Sequence, residues 1–527
     1  MSYEQFWNNL DRFKNENVKE YSYLLKSDCR SSTIFPVFKN KDTDTRLEFL
    51  SYWLKKHNNK VVICFTVRNL EGKKIKRFYK IIKEYKAITI PVSKYFDKSV
   101  DGFCGSIEAE IYSKQPPLFT YPALTLSIAN SQSSSVIHSG TRIYNTNETI
   151  SDYAIKYPQT GFDISFNSKN KNYICFFGGH IKNYNLKISL SEKAKLIEHI
   201  VSLKNNFYGQ THIILLEDIF SDYDLSVFKN PKCSIEHDFN DVFPRFYVGI
   251  ITKNLAPTLT HTFYDTSFAS INVRNLDKNK LRVSNKLPDL YFDCSFMIPF
   301  YSKKLFVTSL RSYAQNLDFE GKAIIKIYSS EGNELFSKYL SKQEINYLSN
   351  NSELKLNEIF INNKISFKNS CSVFFGFLDK NKPFPKRFKL GLNIKKNTSD
   401  YGTNICFSPV VMTPDILTKP LTRRWFPIGG IQNFIGSVHN TKFLINTEKI
   451  EKCKFSFEFI NNTGQILERK SEIKQNGSLF LDVSNDLQLK DFFNNQIGWC
   501  MVSANTYFFD AYYISTEVEQ IGGDHAF

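Results

Sequence analysis

Four landmarks recur in the same order along this chain, so whatever one stretch folds into, the others must fold into as well. Each recurrence opens with an alternating apolar run closed by a turn, at residues 61–72, 323–332 and 453–464, with a shortened version at 173–179. A second apolar run ends in an acidic or polar turn, at 87–92, 213–220, 354–360 and 479–483. A cysteine follows: Cys104, Cys233, Cys371 and Cys500. An aromatic-rich run closes the set, at 119–126, 245–251, 387–394 and 508–514. It leads into His138, His261 and His525, with Asn404 at the corresponding place in the third copy.

Short alternating runs broken by Asn, Gly, Ser and Pro are strands and hairpins. A copy of roughly 100 residues has room for the six to eight short strands of a two-sheet sandwich. The 48 Phe and 28 Tyr suit half-buried pleated surfaces and favour strands over helices. The expected fold is therefore mostly β, with about four tandem β-sandwich-like units, a short N-terminal helix and a helical insertion in the second unit. Clusters of turn residues divide the chain into a helical segment at 1–30 and units at 31–145, 160–270, 289–412 and 430–527.

Helical spacing is found in three places. Phe6, Leu10, Phe13 and Tyr21 fall near one face of a helix over 3–25. Residues 191–201, with Ser191 as N-cap, read as the helix inserted in the second unit, and residues 341–348 as a shorter one in the third. Tandem sandwiches stacked end to end are expected to present long rigid surfaces, and the layout resembles that of tandem β-sandwich surface and adhesion-type proteins.

A net charge of +16 invites anionic partners, but the lysines are scattered. The densest run, residues 72–77, reads as a turn and a polar strand face, and no nucleic-acid motif accompanies it. A protein or glycan partner is favoured over nucleic acid. No stretch approaches the ~20 apolar residues of a membrane span. The start, from Met1 to Trp7, lacks the basic and apolar regions of a secretory signal. The ten cysteines form no CxxC pair, so reduced thiols in a cytoplasmic protein are expected.

No phosphate loop, dinucleotide fingerprint, HExxH, GxSxG or kinase set is present, and no cofactor is expected. The densest polar cluster spans residues 236–241, followed by Arg245 and residues 261–265. Imidazoles and carboxylates suit acid–base or metal chemistry, which makes His237, Asp241, His261 and Asp265 the candidate catalytic set. Asp241 and Asp265 are equally ordinary turn formers.

His138, His261 and His525, with Arg245, form the candidate binding set. Three readings of the repeated histidines stand open: rings bonded to backbone at a strand end, ligand contacts at the same rim of each unit, or metal ligation with the unit's own cysteine. Zinc normally takes four ligands and each unit supplies two, so no metal site is assigned. The sequence favours a non-enzymatic binding or assembly protein. The alternative is an enzyme acting on carbohydrate or its modification, with a His/Asp site in the second unit.

Overall fold

A computed structural model describes residues 30–56, 58–113, 122–138, 140–145, 157–264, 294–301, 306–312, 322–344, 353–368, 370–378, 390–407, 422–440, 452–504 and 509–527. The helix expected over 3–25 and the candidate residue Asp265 lie outside these.

The first eight strands are β1 (Arg30–Lys39), β2 (Asp44–Leu50), β3 (Val61–Asn69), β4 (Lys74–Ile82), β5 (Ala87–Pro91), β6 (Gly102–Ser113), β7 (Thr125–Ala129) and β8 (Ser134–His138). They make two antiparallel sheets, ordered β1-β6-β3-β4 and β5-β2-β7-β8. The inner β3 is an unbroken apolar and β-branched run from Val61 to Val67, and the strand stays buried until Asn69. Its neighbour β4 carries Lys74, Lys76, Arg77 and Lys80 at the sheet's edge.

The same order returns three times. The second unit has β9 (Gln159–Thr160), β10 (Asn170–Phe177), β11 (Asn183–Glu192), β12 (Lys195–Lys204), β13 (Thr211–Leu215), β14 (Lys232–His237), β15 (Tyr247–Thr252) and β16 (Thr260–His261). An added β17 (Phe263–Tyr264) lies beyond β9. The third has β18 (Cys294–Tyr301), β19 (Phe306–Ser312), β20 (Lys322–Tyr328), β21 (Glu334–Leu340), β22 (Glu353–Lys355), β23 (Ser370–Leu378), β24 (Leu390–Lys396) and β25 (Thr403–Phe407). The fourth has β26 (Thr422–Gly429), β27 (Phe434–His439), β28 (Lys452–Ile460), β29 (Ile466–Lys474), β30 (Ser478–Leu481), β31 (Ile497–Ala504), β32 (Asp510–Ser515) and β33 (Gly523–His525). In every unit the first, sixth, third and fourth strands make one sheet and the fifth, second, seventh and eighth the other. In the fourth unit a bridge from Gly429 to Phe434 joins the two.

The landmarks map onto this order. The cysteines sit buried and unpaired on the sixth strands, the aromatic runs lead into the seventh, and the histidines lie on the eighth. The fifth strands end in helical turns: Ser93–Tyr95, α2 (Leu216–Ile219), α3 (Leu356–Asn362) and Val483–Asn485, with α1 (Tyr52–Lys56) and α4 (Leu487–Phe493) elsewhere. The turn between third and fourth strands is built alike in units 1, 3 and 4. Gly72, Gly332 and Gly464 have φ of +85°, +82° and +87°, a region where a side chain is strained. Their amides donate to the carbonyls of Asn69, Ser329 and Asn461, whose side chains accept from the backbone four residues on.

Two expectations for the second unit fail. Residues 191–201 are not a helix: they belong to the β11–β12 hairpin, whose register runs from Asn183↔Lys204 to Glu192↔Lys195. Leu196 and Ile200, which looked like a helical stripe, point outward at 59% and 68% exposure, while Ile197, Val201 and Leu203 pack on the core with the period of a strand. The ten-residue template of β11 outweighs local helix propensity. The third strand of this unit is β11, and residues 173–177 belong to its second strand, β10. In the third unit, residues 342–344 are helical, and Ser341 and Glu344 cap them reciprocally. The rest of that expected helix lies outside the described residues.

The units are not beads on a string, and the expectation of a long, extended surface is corrected. One continuous core spans units 1 and 2 and takes in Trp425, Trp499 and Met501 of unit 4. Another spans units 3 and 4. Unit 4 closes onto unit 1, where Tyr52 stacks on Trp425 with centroids 4.7 Å apart and Ala87 donates to the Asn461 carbonyl at 3.1 Å. The described residues form a closed ring of four such units.

Candidate functional site

The eighth strands meet at the ring's centre. Thr260 Oγ1 of β16 donates to the Asn404 carbonyl of β25 at 3.2 Å, and Thr403 Oγ1 of β25 donates to the Gly523 carbonyl of β33 at 2.7 Å. Between β33 and β8, the backbone N–H of His138 donates to Asp524 Oδ2 at 3.1 Å, and His138 Nδ1 lies 2.7 Å from the same oxygen. Between β8 and β16, the Nε2 atoms of His138 and His261 are 3.1 Å apart. The fourfold recurrence thus places the landmark histidines of units 1, 2 and 4 side by side. The His138 ring centroid is 4.7 Å from that of His261 and 4.6 Å from that of His525.

Strand pairing fixes these rings. His138 lies opposite Thr125, His261 opposite Tyr247 and His525 opposite Tyr512. His138, His261 and Asp524 are 7%, 4% and 4% exposed. Burial pushes the Asp524 carboxyl upward, but the His138 and His525 rings outweigh it and hold it below the ordinary carboxylate range. His261 Nδ1 lies 3.1 Å from the carbonyl of Thr262, and His525 Nδ1 lies 3.0 Å from that of Ala526. Phe527 closes one side, stacked on Trp425 and Trp499 and edge-on to His138. Arg245 lies against the chain just past β8: a Cβ on Gly140, two residues beyond His138, would come within 2.5 Å of its Cδ. The three histidines of the candidate binding set therefore come to one place.

The candidate catalytic set is divided. Asp241 is spent on a turn, accepting from the backbone N–H groups of His180 and Ile181 and from the Tyr184 hydroxyl. His237, at the end of β14, packs against Phe239 and Phe246, and burial pushes it down to about 4. Its Nδ1 accepts from the Phe239 N–H at 3.3 Å. His261 turns instead to His138. The cysteines do not join the histidines as per-unit ligation required: Cys104 Sγ donates to the Val37 carbonyl at 3.4 Å inside its own sandwich, and burial pushes its thiol up to about 12.

Sequence reasoning passed over Asp524, whose only signal is its place beside the last landmark histidine. It also passed over Arg311 on β19, 1% exposed, which joins units 2 and 3 through Asp163 at 2.6 Å and the carbonyls of Asn230 and Pro231 at 2.9 and 3.0 Å.

No family model matches the sequence, and no curated protein does. Among solved structures, the chain has a likeness to the BSP domain of a biofilm-associated protein, at 8% identity over 94% of this chain and 95% of that one, with a TM-score of 0.13. A tetra-tandem repeat from the extending region of a large adhesion protein gives 9%, 94%, 98% and 0.10. A glycosyl hydrolase family 2 member from Bacteroides cellulosilyticus gives 6%, 92%, 91% and 0.10. Scores this low establish no common fold. Among the described residues, no helix is long and apolar enough to cross a membrane.

Proposed function

We propose that this protein is a non-enzymatic binding or assembly protein that engages a protein partner through its outer edge strands. The observation that carries the reading is the position of the fourth strands. β4, β12, β21 and β29 each end their sheet, and each leaves large apolar side chains in solvent: Ile75, Leu196 with Ile200, Leu335 with Tyr339, and Ile466. An edge strand offers unpaired backbone donors and acceptors, and outward apolar groups give a partner strand something to bury. Aliphatic side chains predominate there, which suits a protein surface better than the aromatic platforms that stack sugars.

The enzyme alternative, with its His/Asp site in unit 2, draws little support. Asp241 is engaged by two backbone N–H groups and the Tyr184 hydroxyl, His237 sits among aromatic rings, and His138 and His261 are too buried to meet a substrate. Affinity capture from the native source, comparing wild type with Leu196→Lys/Ile200→Lys, tests the proposal. Proteins retained by wild type are expected to be lost from the variant while its melting temperature holds, because both side chains are exposed. Identical capture profiles would refute the edge-strand reading.

A further inference from the structure

The ring centre poses a problem of protons. His138 Nδ1 faces Asp524 Oδ2 at 2.7 Å, and His261 Nδ1 faces the Thr262 carbonyl at 3.1 Å. Each acceptor calls for an N–H on Nδ1, and a neutral imidazole carries only one proton. Both Nε2 atoms are then lone-pair nitrogens, and they face each other at 3.1 Å. Two lone pairs at that distance repel unless a cation or an extra proton lies between them. His525 repeats the pattern, with Nδ1 on the Ala526 carbonyl at 3.0 Å.

Imidazoles that ligate a metal hold their other nitrogen in this way, on a carboxylate or a backbone carbonyl. The spacing also fits. Nitrogens about 2.0–2.1 Å from one ion, at angles between octahedral and tetrahedral, lie roughly 2.9–3.4 Å apart. His525 stands beside His138 and Asp524, one ligand atom of each within 4.8 Å of the others, and its Nε2 lies 4.0 Å from Asp524 Oδ1, so it must swing toward the His138–His261 contact to join it. The His525 side chain is 34% exposed, which leaves it room to turn toward the ion.

We propose that His138, His261 and His525 form a three-imidazole site for a divalent transition metal of the zinc class, with Asp524 orienting His138 from behind. Imidazole nitrogen selects such ions over magnesium or calcium, which prefer oxygen. The ion would cross-link units 1, 2 and 4, while unit 3, with Asn404 at its position, supplies no ligand. Since no unit owns more than one imidazole of the set, the site exists only in the closed ring, and binding stabilises closure by mass action.

The test uses the full chain, stripped with chelator and then titrated with Zn²⁺, or with Co²⁺ for its visible absorption. Mass spectrometry of the retained metal is expected to give one ion per chain, with a rise in melting temperature. His525→Ala, at a half-exposed position, is expected to fold and to bind at least tenfold more weakly. Asp524→Asn is expected to weaken binding by about 10–100-fold, as loss of an orienting partner does. Wild type that retains no metal at micromolar Zn²⁺ would overturn the proposal. So would equal binding by folded His525→Ala and His261→Gln. A ¹⁵N spectrum showing a proton shared between His138 and His261, unchanged by Zn²⁺, would assign the contact to a protonated pair instead and equally overturn it.

Discussion

At the joint between units 1 and 2, Thr211 at the start of β13 donates its backbone N–H to the carbonyl of Leu70, just past β3, at 2.8 Å. Ser478 of β30 does the same to Ser330 at 3.0 Å between units 3 and 4, and Ala87 of β5 to Asn461 at 3.1 Å between units 4 and 1. In each case the fifth strand of one unit starts against the glycine turn of the unit before it. Among the described residues, side chains carry the joint between units 2 and 3. The corresponding turn of unit 2 is the tight pair between Glu192 and Lys195, with Lys193 at φ +56° and no glycine. Arg311 reaches across with Asp163, Asn230 and Pro231, and Asn167 donates to the Tyr401 hydroxyl at 2.7 Å. A joint made of backbone bonds tolerates changes of side chain but not of backbone conformation. A joint at which one guanidinium holds three acceptors leans on that residue most.

The largest expected effect therefore falls on the side-chain joint. Arg311→Met leaves the Asp163 carboxylate and two carbonyls without their buried donor, and is expected to cost about 3 kcal/mol in urea unfolding. A loss no greater than that of the glycine variants would erase the distinction between the two kinds of joint. Gly332→Ala is next, at about 2 kcal/mol. Its φ is already unfavourable for alanine, and the added Cβ would meet the Gln475 carbonyl oxygen of unit 4 at 2.3 Å. Gly464→Ala has the same φ problem, but its nearest neighbour, the Tyr85 carbonyl oxygen, is 3.5 Å away, so about 1 kcal/mol is expected. Equal losses at the two glycines would mean that the strain lies within the turn and the joint contributes nothing.

The smallest effect concerns pH. His439 on β27 of unit 4 meets Ser372 on β23 of unit 3, Nδ1 to Oγ 2.6 Å, and burial pushes its pKa down to about 3. A folded pKa below the unfolded value of 6.5 means that the unfolded chain takes up the proton first. Stability is then full above pH 6.5 and lost as pH falls from there toward 3. His439 alone is expected to account for about 1 kcal/mol of the loss between pH 7.5 and 5.5, a share absent from His439→Gln. If the slope is unchanged in the variant, other histidines carry the acid sensitivity.

Much of the fold could be read from local patterns. An apolar run ending in an Asn- or Ser-led glycine turn marks the third strand in units 1, 3 and 4, because only such residues satisfy that turn. Cys104, Cys233, Cys371 and Cys500 mark the sixth strand as small apolar groups among larger ones. Unit 2 misled because it lacks the glycine turn. Without that marker, the buried β10 passed for the third strand and the amphipathic β12 for a helix. The site was half visible. Recurrence singles out His138, His261 and His525, but every reading of them keeps each ring within its own unit, since nothing in one unit's pattern records what a distant unit packs against it. Asp241 and His237 looked chemical in sequence because turns and strand ends use the same residue types as active sites.

Closure also imposes an order of events during synthesis. His138 and Asp524 are 386 residues apart in the chain. At about 5–20 residues per second, a ribosome needs roughly 20–80 s to supply one after the other. Throughout that interval Tyr52 waits for the Trp425 ring that will cover it, and β8 waits for β33. The nascent protein is an open arc with a live apolar flank, and its exposure to aggregation is set by how quickly the fourth unit is translated rather than by how stable the finished ring is.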